Sequence, residues 1–141
     1  MNFRISKLLV TALFSMILSV NSWAEVVVIV HPSVTDTVSK KDISRIFLGK
    51  SKSLPGGQKV IPVALTEGNA ARDEFNEKVL GKSDSQLKSY WSKLIFTGKG
   101  KPPKELATDA DVVGSVSSNP ESIGYVSKES VTDGVKVLAT F

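Results

Sequence analysis

Val26-Val27-Val28-Ile29-Val30 is an unbroken run of β-branched residues. It does not alternate with polar residues, so the strand it predicts should be covered on both faces. That is the pattern of a central strand in a parallel sheet. His31-Pro32-Ser33 ends the run. A second strand is expected from Lys59 to Leu65. Pro62 inside it lacks a backbone donor, which puts that side of the strand at an unpaired edge. Short closing strands are expected from Ile123 to Val126 and from Val135 to Leu138.

Helical patterns fill the intervals. Ser39 and Asp42 have capping-box spacing, Ile43, Ile46 and Phe47 follow, and Gly49 is placed to stop the helix. Gly68-Asn69 opens a second helix whose stripe is Ala71, Phe75 and Val79, ended by Gly81. Ser83 and Gln86 form another box, and Leu87, Tyr90, Trp91, Leu94 and Ile95 repeat at helical intervals behind it. Gly98 to Lys104 reads as a basic surface loop without regular structure. Thr108 with Asp111 starts a further helix carrying Val112, Val113 and Val116, closed by Asn119-Pro120. Strands separated by helices predict an α/β domain, a mostly parallel sheet with helices on both faces.

Residues 1–24 read as an address. Arg4 and Lys7 precede the apolar stretch Leu8 to Val20, and Ser22-Trp23-Ala24 puts small residues at the two positions a signal peptidase reads. The stretch falls short of the ~20 residues that span a bilayer. The expected mature chain, 25–141, is a single periplasmic domain without a lipidation cysteine.

The remaining composition excludes several chemistries. The 141 residues include no cysteine and one histidine, so a thiolate nucleophile, a disulfide framework and a multi-histidine metal site are all ruled out. Without Arg4 and Lys7 the net charge falls from +4 to +2, which gives little pull toward a polyanion. Gly49-Lys50-Ser51 and Gly81-Lys82-Ser83 look like the tail of a phosphate-binding loop, but Ser44 and Asn76 stand where its leading glycine belongs. Asp73, Glu74 and Glu77 read as a solvated face, and Asp109 and Asp111 as dipole-favoured carboxylates. The lysines from Gly98 to Lys104 lack interleaved aromatics, so no nucleic-acid partner is expected. No set of base, nucleophile and metal ligands can be assembled. An enzyme is therefore not expected, nor any metal or cofactor.

One segment remains. Val63-Ala64-Leu65-Thr66-Glu67-Gly68-Asn69-Ala70-Ala71-Arg72-Asp73-Glu74-Phe75 is a strand entering a helix through a small-residue turn. A helix start presents free N–H groups and a positive dipole end. Ligands of open parallel sheets lie at the carboxyl ends of strands. Thr66, Gly68, Asn69, Ala70, Ala71 and Arg72 are the candidate ligand-binding residues, with Arg72 as a counter-charge for an anion. The same residues also describe a plain capped helix with a solvated arginine.

This segment resembles the phosphate-binding turn of type II periplasmic binding proteins in the phosphate ABC importer family, which reads Arg-Ser-Asp-Gly-Ser-Gly-Thr. Lys41 to Lys50, Tyr90-Trp91, Phe96-Thr97-Gly98 and Asn119 to Val126 are similar to the flanking stretches of that family. The resemblance implies one lobe of a two-lobed binding protein. It also shows departures: Leu65 stands at the arginine position, and Asn69, Ala70 and Ala71 stand at Ser-Gly-Thr. What the resemblance implies is a solute-binding-like protein taking phosphate or a similar small anion, with ABC importer membrane components as partners. A homodimer or a second protein would supply the other cleft wall. The alternative is a ligand-free interaction module of the cell envelope built on the same lobe.

Overall fold

The β-branched run forms strand β1 (Val26–Val30), and all five of its side chains are buried. The computed structural model describes residues 25–141, so the leader expected over residues 1–24 lies outside them. The helices and strands that follow are α1 (Lys40–Phe47), β2 (Ile61–Leu65), α2 (Ala70–Phe75), α3 (Asp84–Phe96), β3 (Lys104–Leu106), α4 (Asp109–Ser118), β4 (Ser122–Ser127) and β5 (Lys136–Thr140). The strands form one sheet in the order β3-β2-β4-β1-β5.

The sheet is mixed with a parallel core. β2 runs parallel to both β3 and β4. β1 runs antiparallel to β4 and to β5, with a register shift against β5 at Val28/Ile29. A non-alternating run reports burial on two faces and carries no information on the direction of its neighbours. The expected burial of β1 is therefore present, with antiparallel partners in place of parallel ones. β3 was not expected. It is three residues long and two of them are charged, so the stretch has neither an apolar run nor a period. Pro62 behaves as its chemistry requires. Ile61 donates its N–H to Glu121 O on the β4 side, so Pro62 turns its missing donor toward β3, which begins only opposite Val63.

Consecutive residues of β4 show how helices cover both faces. A Cβ on Gly124 would lie 2.6 Å from Val112 Cγ1 of α4 and 3.1 Å from Val63 Cγ2 of β2. The next side chain, Tyr125, points to the opposite face. There it stacks on Phe75 of α2, with ring centroids 4.0 Å apart, and Phe47 of α1 meets Phe75 edge-on at 4.8 Å.

The helix ends follow the local sequence. Ser39 and Ser83 each make a complete capping box, with Asp42 and Gln86. Thr108 caps α4 through Asp111 N. α2 continues into a π-turn over Asn76–Leu80, which Gly81 stops with φ +63°. α3 packs unevenly. Leu87 is its only buried residue, Tyr90 donates its hydroxyl to Leu48 O at 2.6 Å, and Ile95 and Phe96 are exposed.

The spacing over Gly124 predicts a strict size limit. Gly124→Ala should destabilise the protein by about 1–3 kcal/mol through overpacking. Adding Val112→Ala should restore part of that loss. Urea unfolding midpoints of the single and double variants test the coupling.

Candidate functional site

The site begins where β2 leaves β4. The two strands are in register at Ile61↔Ser122 and Pro62↔Ile123. Three residues further on, side chains satisfy the backbone of Leu65. Leu65 N–H donates to Tyr125 Oη at 3.2 Å, and Leu65 O accepts from Arg72 Nη1 at 2.6 Å. A buried strand end cannot leave these groups unpaired without a cost of about 1–3 kcal/mol each.

Arg72 reaches Leu65 from the first turn of α2 and is 8% exposed. Its Nε donates to Asp84 Oδ1 and its Nη1 to Glu105 Oε1, both at 2.9 Å. Asn76 Nδ2 donates to the same Asp84 oxygen at 2.9 Å. Burial opposes the guanidinium charge, but the bonds to Glu105 and Asp84 outweigh it and raise the pKa of Arg72. Burial likewise pushes the Tyr125 hydroxyl up to about 12, against the Leu65 N–H that donates to it.

The turn itself is tightly wound. Thr66 N–H donates to Leu106 O, and Gly68 takes φ +88°, a conformation that favours glycine. Asn69 caps α2 by accepting from Ala71 N at 2.8 Å, and its carbonyl accepts from Arg72 N and Asp73 N. The Asn69 amide also reaches Asp109 Oδ1 at 3.4 Å. The other oxygen of Asp109 accepts from Ser127 N–H at 3.1 Å and from the Ser130 hydroxyl at 2.7 Å. One carboxylate thus joins the starts of α2 and α4 to the end of β4. Beside the turn, Glu67 pairs with Lys88 at 2.9 Å.

The structure therefore brings Thr66, Gly68, Asn69, Ala70 and Ala71 together in one turn at the end of β2. The Thr66 hydroxyl and the Gly68 and Ala70 N–H groups make no hydrogen bond to any described residue. Arg72 follows the turn in sequence, but its charge is already matched by two carboxylates. Asp84, Glu105 and Tyr125 complete the site and went unnoticed in the sequence, because no spacing rule connects them to Arg72. Among the described residues no group of acidic or histidine side chains could hold a metal, and no helix is long and apolar enough to cross a membrane.

Solved structures share this fold. An ABC-type phosphate transport receptor from Vibrio cholerae superposes with a TM-score of 0.64, at 16% identity over 82% of this chain and 46% of that one. A Clostridium perfringens protein, described as a phosphate ABC transporter substrate-binding protein with bound phosphate, gives 0.63 at 20% identity over 82% and 45%. PstS from Borrelia burgdorferi gives 0.59 at 14% identity over 82% and 47%. The likeness is one of fold. The chain spans under half the length of each of these proteins, and they are transport proteins by name, not enzymes. No family model and no curated protein matches the sequence.

Two measurements probe the Arg72–Tyr125 pair. Arg72→Met strands Leu65 O and two carboxylates, and should cost about 2–3 kcal/mol in urea unfolding. Tyr125→Phe should cost about 1–3 kcal/mol at neutral pH by leaving Leu65 N–H unpaired. A raised phenol pKa adds stability that is complete below the ordinary value of 10.0 and is lost as pH rises toward about 12. Wild type should therefore lose stability over that alkaline window more steeply than Tyr125→Phe.

Proposed function

We propose that this chain is a periplasmic, solute-binding-like protein, a single lobe that takes phosphate or a similar small anion at the turn before α2. The observation that carries this reading is the turn itself: a hydroxyl and two backbone N–H groups without partners, at a helix start, in a fold shared with phosphate transport receptors. The donors would come from Thr66, Gly68 and Ala70, supported by the capped arrangement of Asn69 and Ala71. Arg72 acts by holding the end of β2 in place. With its charge neutralised by Asp84 and Glu105, the turn offers hydrogen bonds and a helix dipole but no free cation. Binding by this lobe alone should accordingly be weak. ABC importer membrane components are the partners that fit this reading, with export through the leader over residues 1–24.

A second reading has its own observation. Glu67 and Asp109 place two carboxylates beside the turn, and Asp109 already takes a donor from Asn69. Those charges disfavour an anion and suit a ligand-free interaction module of the cell envelope.

Calorimetric titration with phosphate, and with sulfate as control, separates the two readings. Anion binding predicts a saturable signal that Thr66→Val weakens about tenfold, the effect of removing one hydrogen bond to a charged group. A flat titration on folded protein favours the interaction module. Mass spectrometry of protein recovered from the periplasm should find Glu25 as the first residue.

A further inference from the structure

The incomplete packing of α3 leaves an open groove at the far end of β2 from the turn. It has a volume of about 540 Å³ and an apolar floor that includes Phe47, Ile61, Trp91 and Pro102. Ile61 is 45% exposed there. Isolated apolar side chains on a surface need no explanation, but a continuous floor does.

The walls are uniformly basic. Lys52, Lys59, Lys99, Lys101 and Lys104 line the groove, and no acidic residue does. All five lysines are exposed, and among the described residues none belongs to an ion pair. The nearest carboxylate in sequence, Glu105, is already bonded to Arg72. The lysines come from separate stretches of chain: before β2, in the loop after α3, and at the start of β3. One small anion cannot engage them all. Several negative groups spaced around an apolar anchor can.

The edge of the sheet narrows the choice further. Pro62 offers no donor on the side that lies beyond the start of β3, and Pro102-Pro103 lead into β3 without donors of their own. An added strand would find little to pair with, so an occupant must be recognised through its side chains. A nucleic acid would need a series of stacking aromatics, and the aromatic residues lining this groove are Trp91 and the buried Phe47.

We propose that this groove docks an acidic segment of a partner polypeptide, with carboxylates on the lysines and an aromatic or leucine anchor on the apolar floor. The proposal is independent of anion binding at the turn, which lies at the other end of β2.

Selection of a random peptide library against the full-length chain tests it. Enriched peptides should carry clustered Asp and Glu around an apolar anchor. Their affinity should fall about tenfold or more in Lys59→Glu/Lys101→Glu and decline with added salt, as rim charges dictate. Ile61→Ser should weaken the same peptides about threefold or more through the lost apolar contact. Both variants alter exposed side chains, and far-UV circular dichroism confirms that they fold. Peptides without acidic bias, or affinities unmoved by the charge reversals, overturn the proposal. Tight binding of decanoate with no peptide enriched also overturns it, in favour of a small amphipathic anion. Phosphate titration of the same variants should be unchanged, which keeps a failure here separate from a failure at the turn.

Discussion

The Arg72 guanidinium holds the architecture around the turn together. It donates to the carbonyl at the end of β2, to Asp84 in the first turn of α3 and to Glu105 in β3. β2 and β3, already paired at Ala64↔Glu105 and Leu65↔Leu106, are tied to α3 by one planar group with donors in a rigid fork. A lysine there would gather its donors on one terminal nitrogen and would lack the set-back Nε that reaches Asp84 while Nη1 serves Leu65 O and Glu105. The phenol of Tyr125 completes the arrangement by accepting from Leu65 N–H, while its ring stacks on Phe75. The polar end of β2 and the aromatic core under α1 and α2 therefore depend on the same side chain.

This arrangement assigns Arg72 a role other than that of an exposed counter-ion. In the resembling binding-protein turn an arginine stands where this chain has Leu65. Here the arginine comes from the following helix, and its hydrogen bonds go to the backbone of Leu65 and to two carboxylates. The turn keeps its shape, with Gly68 in a left-handed conformation and Asn69 as the cap, while the charge beside it is neutralised. A fold shared with phosphate transport receptors thus coexists here with a turn whose neighbouring arginine is matched by two carboxylates.

What the sequence disclosed depends on range. Caps and stops are local, so Ser39 with Asp42, Ser83 with Gln86, and Gly81 were all legible from spacing alone. The buried run Val26–Val30 announced a two-sided central strand, because burial is written in composition. The direction of its neighbours was not legible, since that depends on how the chain returns from Ser122 and Lys136. β3 was hidden by its shortness and its charges. The partners of Arg72 lie 12 and 33 residues away, beyond any helical or strand period. The apolar stripe of α3 was legible as a helix, but its incomplete cover was not, because periodicity shows which side chains share a face and not whether anything sits against it.

The carboxylate of Asp109 has a mechanical consequence. It bonds the cap of α2, the backbone at the end of β4 and the short turn that follows, so the loops on this rim of the sheet are strapped to one another. A displacement of the Thr66–Ala71 turn would load the bonds that Asp109 makes to Ser127 and Ser130. A contact made by either loop would be felt at the other as a shift of the same rim.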